Sequence, residues 1–68
     1  MSAIDDLIEY FGGVSETATA MKTDRQVIDS WRKRGFIPFK RGNEVESVTG
    51  GKITASYVWQ CAASARHH

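Results

Sequence analysis

Apolar residues recur at Ile4, Leu7, Ile8 and Phe11, spaced i, i+3, i+4, i+7, which puts them on one face of a helix. Ser2 is a ready N-cap, and Asp5 and Asp6 fall in the first turn, where the helix dipole favours negative charge. Gly12-Gly13 ends this helix, because glycine accepts the left-handed backbone of a helix terminus. The pattern predicts a second helix from Ser15 to Met21, with Ser15 as N-cap and Val14 folding back as a hydrophobic staple. Val14, Ala18 and Met21 share its inner face. Lys22-Thr23 interrupts the run. Thr23 and Gln26 then form a Thr-x-x-Gln capping box that opens a third helix. Val27, Ile28 and Trp31 are its apolar positions. Arg32, Lys33 and Arg34 close it with charges that suit the dipole, ahead of Gly35 and Pro38.

Phe36-Ile37-Pro38-Phe39 reads as a short apolar connector, since Pro38 would weaken a strand. A further helix begins near Pro38 or Lys40 and runs to about Thr49, with Val45 and Val48 inward. Gly50-Gly51 breaks it. Thr54 caps a last helix that carries Tyr57, Val58 and Cys61. The segment Gly-Lys-Ile-Thr-Ala-Ser-Tyr, residues 51–57, also fits a strand, so the alternative is an α+β domain with a C-terminal β-hairpin. The helical spacing of Val45, Val48, Val58 and Cys61 favours helix. The expected architecture is all-α, with four or five helices in one domain over residues 1–61 and a disordered tail over 62–68. His67 and His68 are set aside as a purification-tag remnant.

The 68 residues suffice for one domain and one core. Such a core rarely supplies more than about 3–5 kcal/mol. The single cysteine excludes a disulfide, and Cys61, His67 and His68 do not have the spacing of a zinc site. Cys61 is expected to be an incidental half-buried thiol in a reducing cytoplasm. Packed helices, a structural metal, a partner chain or a bound ligand could supply the rest, and helix packing with self-association is the expected source. No apolar run approaches the ~18–20 residues of a membrane span, and the acidic start is unlike a signal peptide.

Charge matters through its placement. The formal net charge is only +1, but seven of the nine Lys and Arg residues lie between Lys22 and Arg41. The first ten residues carry Asp5, Asp6 and Glu9 and no base. Such a chain presents a positive face that suits a polyanion.

The stretch Val14–Trp31 gives that face a purpose. Where two short helices cross steeply, the first needs a small residue near its middle, and Ala18 meets that need. Thr17 and Met21 flank it, and Ile28 and Trp31 answer from the next helix. The outer side of that helix, free of core duties, carries Asp24, Arg25, Gln26, Asp29, Ser30 and Lys33. These side chains can read base edges or hold phosphates in the major groove.

The run Phe-Gly-Gly-Val-Ser-Glu-Thr-Ala-Thr-Ala-Met-Lys-Thr-Asp-Arg-Gln-Val-Ile-Asp-Ser-Trp-Arg-Lys-Arg-Gly-Phe-Ile-Pro resembles the Cro repressors of lambdoid phages and related bacterial and prophage regulators. So does the later Glu-x-x-Thr-Gly-Gly-Lys-Ile-Thr close. The likeness covers residues 3 to about 58. It implies a lambda-repressor-like helix-turn-helix fold and a cytoplasmic, dimeric repressor of a roughly palindromic operator. Two positions depart from the family pattern. Lys22 stands where the turn usually has glycine with φ > 0, and Thr23 stands where an apolar residue is usual.

The expected base readers are Arg25, Gln26, Ser30 and Asp29. Arg can fork onto guanine O6/N7, and Gln can pair with adenine N6/N7. Asp29 either accepts from cytosine N4 or holds Arg25 or Lys33 four residues away. The expected phosphate contacts are Ser15, Lys22, Arg32, Lys33, Arg34, Lys40 and Arg41. Trp31 belongs to the core. Tyr57 and Trp59 fit either packing on the first helix or a dimer contact. The partners expected are an operator duplex and a second, weakly held copy, with no cofactor, metal, membrane or small-molecule ligand. Asp5, Asp6 and Glu9 have no neighbouring histidine or nucleophile, so the chain does not read as an enzyme. An activator, an antitoxin-like autorepressor and a protein–protein adaptor of the same fold are the competing readings.

Overall fold

A computed structural model describes residues 2–65. Five α-helices follow one another: α1 (Ala3–Phe11), α2 (Val14–Ala20), α3 (Arg25–Arg34), α4 (Gly42–Val48) and α5 (Ala55–Ala65), with a 3-10 turn over Phe39–Arg41 before α4. There is no strand among the described residues, so the hairpin alternative gives way to the all-α fold.

Each helix enters the core by its apolar stripe. Ile4 and Leu7 of α1, Ala18 of α2, Ile28 and Trp31 of α3, Val45 of α4 and Val58 of α5 are buried together with Met21, Ile37 and Ile53 from the connections. The cap on α1 forms as its sequence implies, since Ser2 Oγ accepts from the Asp5 amide at 3.3 Å. Phe11, Val14, Val27 and Val48 are only partly buried against this cluster.

The predicted fourth helix divides in two. Phe39–Arg41 forms the 3-10 turn, and α4 proper starts at Gly42. The turn to α5 is organised by two polar side chains. The buried Thr49 Oγ1 donates to the Val45 carbonyl at 2.8 Å and accepts from the Ile53 amide at 3.1 Å. Glu46 Oε1 accepts from the Ala55 amide at 2.8 Å, occupying an orphan donor at the start of α5. The Glu-x-x-Thr-Gly-Gly-Lys-Ile-Thr run is therefore an architectural clasp between two helices. Thr54 caps as expected, its Oγ1 accepting from the Tyr57 amide at 3.2 Å.

The chain stays helical past the boundary expected at residue 61. Ala62 is fully buried and follows Val58 by four residues, so α5 continues to Ala65 instead of fraying at 62. His67 and His68 lie outside the described residues. Tyr57 ties this last helix to the first. Its hydroxyl donates to Asp6 Oδ2 at 2.6 Å, and that bond, with desolvation and the carboxylate's charge, pushes the phenol pKa well above its ordinary value.

Candidate nucleic-acid interface

The end of α2 sets the direction of α3. The Thr23 amide donates to the Ala18 carbonyl at 2.9 Å, and the Lys22 amide to the Thr19 carbonyl at 3.1 Å. This is the paired closure of a Schellman motif, with Lys22 as the residue just past the cap. That position requires a left-handed backbone, and Lys22 has φ 56°. The same closure ends α4, where Gly50 takes φ 61° and the Gly51 amide reaches the Glu46 carbonyl. Lysine thus occupies a backbone that glycine fills elsewhere in this molecule.

This closure explains why the expected capping box is not formed. Thr23 is committed to the end of α2, so Asp24 becomes the N-cap of α3, and Arg25 and Gln26 are its first two residues. No side-chain cap bond forms there. Ser15 is likewise not an N-cap. α2 starts at Val14, and its N-cap is Gly13, two residues before Ser15; the Gly13 carbonyl accepts from both the Thr17 amide and the Thr17 hydroxyl, the latter at 2.7 Å. Ser15 is left exposed on the helix surface.

Two buried residues, Ile28 and Trp31, define the inner side of α3. At about 100° per residue, the direction opposite them is held by Gln26 and Lys33, with Asp29 and Ser30 on either side. Gln26, Asp29, Ser30, Lys33 and Arg34 line one shallow surface groove. Arg25 and Arg32 stand at one edge of this stripe and Arg34 at the other. Three of the four expected base readers therefore share the outward stripe, and Arg25 flanks its leading end. The stripe also contains Lys33, which the sequence placed on this outer side and assigned to phosphate. Its separation of seven residues from Gln26, two helical turns, was the signal available in the sequence.

The charged groups divide into engaged and free. Asp29 pairs with Arg32 at 2.9 Å, three residues on, and not with Arg25 or Lys33 as expected. The i+3 geometry brings the Arg32 guanidinium to the carboxylate and leaves Lys33 on the open stripe. Both partners are well exposed, so the pair is worth only about 0.2–1 kcal/mol and exchanges readily for another anion. Arg41 pairs with Glu44 at 3.0 Å and lies 6.0 Å from the centre of the Trp31 ring. It therefore lies alongside the buried aromatic of α3 while remaining partly open to solvent. Lys22, Arg25, Lys33, Arg34 and Lys40 are exposed and form no ion pair among the described residues. The result is a rigid helix presenting amide, hydroxyl, carboxylate and cationic groups in a line. Its rim of unengaged cations supplies sequence-independent attraction to phosphate.

Among the described residues no group of three or more His, Cys, Asp or Glu is placed to hold a metal ion, and no helix is long and apolar enough to cross a membrane. Cys61 is a free, half-buried thiol.

The chain matches no curated protein and no solved structure. Residues 4–66 match the family model described as the DNA-binding transcriptional regulator Cro, so nearly the whole chain is covered, helix-turn-helix and α4–α5 clasp included. With the braced and outward-facing α3, that match settles what kind of molecule this is: the chain belongs to the Cro family of DNA-binding transcriptional regulators.

Proposed function

We propose that the protein is a repressor that reads a pseudo-palindromic operator by laying α3 in the major groove, one copy to each half-site. The carrying observation is the line of Gln26, Asp29, Ser30 and Lys33 on the exposed side of a helix whose opposite side is locked by Ile28 and Trp31. Arg25 and Gln26, at the N-terminal end of α3, enter the groove first and read purine edges. Ser30 and Asp29 read one turn further on, Asp29 exchanging Arg32 for a cytosine amino group. Lys22, Arg34 and Lys40 hold phosphates, joined by Arg32 when Asp29 releases it. Ser15 adds a hydroxyl contact and Arg41 a backbone contact beside Glu44. Lys33 reaches a base or a phosphate according to how deeply α3 seats. The protein acts in the cytoplasm of the bacterial cell or infected host, and its activity needs no cofactor or small-molecule ligand.

Selection of bound duplexes from a random pool tests this directly. The expected product is a motif of two inverted half-sites centred about 10 base pairs apart. Arg25→Ala then weakens the selected duplex by at least ~5-fold while changing binding to an unrelated duplex by less than ~3-fold, since one good bidentate pair discriminates by roughly 1–3 kcal/mol. A pool that yields no motif, or equal losses on both duplexes, refutes readout by this helix.

A further inference from the structure

Two arginines near the end of α3 are placed alike but held differently. At about 100° per residue, Arg32 lies about 110° from the centre of the outward stripe and Arg34 about 90° from it on the opposite edge. A helix about 10–12 Å across fills a major groove about 12 Å wide, so its two edges face the two phosphate walls. Arg34 forms no ion pair among the described residues, whereas Arg32 Nη2 donates to Asp29 Oδ1 at 2.9 Å. Asp29 itself lies only about 50° from the centre of the stripe. Its carboxylate therefore meets the base edges on one side and holds a phosphate ligand on the other. The side chains of Arg32 and Asp29 are 53% and 39% exposed, so both can turn to new partners.

The strength of the pair does not keep it closed. An exposed ion pair shifts an equilibrium by no more than about 5-fold. What retains Arg32 is the cost of baring the carboxylate inside the groove. Against guanine O6 and N7, or thymine O4, a bare Asp29 meets acceptors only, with phosphates on either side. Cytosine N4 is a donor, and it can replace the guanidinium at Asp29. Arg32 is then free to turn to the wall that its edge already faces. A charge left unpaired by the wrong partner is a source of specificity in its own right.

We propose that the Asp29–Arg32 pair is a base-gated latch, which withholds one phosphate contact from unrelated DNA and delivers it where a cytosine engages Asp29. The proposal rests on the reading of α3 given above and adds a coupling to it. One base contact and one phosphate contact form together, so Arg32 determines specificity without touching a base, while Arg34 binds phosphate on any duplex.

Salt titrations of DNA binding by the full chain read the latch, because each neutralised phosphate adds about 0.9 to the log–log slope. Repeating the duplex selection with Asp29→Ala identifies the cytosine as the position whose preference disappears. On the wild-type selected duplex, Arg32→Ala is expected to make the slope shallower by ~0.9 per bound copy, and on an unrelated duplex by less than ~0.3. Exchanging the identified cytosine for thymine makes the wild-type slope shallower by the same ~0.9 and leaves Arg32→Ala nothing further to lose. Asp29→Asn frees Arg32 everywhere and steepens the slope on the unrelated duplex by ~0.9. Asp24→Asn removes an equal charge beside the same helix but frees no arginine, and steepens that slope by less than ~0.3. Circular dichroism confirms that each variant is folded. Equal losses of slope on both duplexes in Arg32→Ala make Arg32 an ungated contact and overturn the proposal. So does no loss on either duplex, an Asp29→Ala selection that loses no cytosine, or an Arg34→Ala protein with the same duplex dependence as Arg32→Ala. If the wild-type selection yields no motif, the reading of α3 fails by itself. The unrelated duplex then still decides whether Asp29 withholds Arg32, and equal slopes for Asp29→Asn and Asp24→Asn there overturn the latch.

Discussion

Replacing Lys22 by glycine isolates one backbone strain and one charge. Lys22 has φ 56°, and it is the one non-glycine residue with positive φ among those described. A side chain with a Cβ loses about 1–2 kcal/mol in that conformation. Glycine relieves the strain but adds about 0.5–1 kcal/mol of unfolded-state freedom. The net expectation for Lys22→Gly is a gain of about 0.5–1 kcal/mol. At about 4–8 °C per kcal/mol for a domain of this size, the melting temperature rises by roughly 2–8 °C. Gly50 is the internal control, since it adopts φ 61° in the matching closure of α4. Lys22→Ala separates the two effects. It keeps the Cβ, so its melting temperature stays near that of wild type, while both variants lose the same cation. If Lys22 contacts phosphate, both show a salt dependence of DNA binding shallower by about 0.9 in log–log slope. Thermal melts followed by circular dichroism, paired with salt titrations, measure both quantities. A Lys22→Gly protein that melts at or below the wild-type temperature refutes the strain argument. An equal rise in Lys22→Ala assigns the effect to charge.

Trp31→Ala removes the largest core side chain and the ring beneath Arg41, at a cost of about 3–5 kcal/mol, comparable to the whole stability of so small a core. Its circular dichroism is expected to show an unfolded chain at 25 °C, and a cooperative melt there would mean that the core is organised otherwise. Glu46→Ala leaves the Ala55 amide without its acceptor and costs about 1 kcal/mol, read as a lower melting temperature. Tyr57→Phe tests the α1–α5 tie through pH. The raised phenol pKa means that the folded state keeps its proton longer than the unfolded chain, so this contribution is intact below about pH 10 and is lost above it. Wild type should therefore lose melting temperature above pH ~10 more steeply than Tyr57→Phe, and parallel curves would show that the bond to Asp6 does not stabilise the fold.

The helices were legible because their apolar spacing is regular and because glycine ends α1, α3 and α4. Ile4, Leu7, Ile28, Trp31 and Val58 all appear in the core as that spacing implies. The starts of α2 and α3 were less legible. Thr23 has the chemistry of an N-cap, but its amide is taken by Ala18, and a bond spanning the turn leaves no mark in local composition. The far end of α5 was hidden for another reason. Alanine and serine give almost no periodic signal, although Ala62 packs in the core. At the interface, residue types were easier to read than their pairings. Asp29 could be expected to find a cation, but the choice of Arg32 over Arg25 or Lys33 depends on side-chain direction. The stacking of Arg41 over Trp31 joins residues ten apart through a connector whose path no short motif specifies.

The clasp formed by Glu46 and Thr49 reaches no further along the chain than Ala55. The closure of α2 by Thr23 is equally local. Each of the two helix pairs can thus acquire its turn geometry before distant segments meet. Such topologies reach the native state in microseconds to milliseconds. A small regulator assembled this way is competent almost as soon as it leaves the ribosome, so synthesis rather than folding sets the time at which it can act.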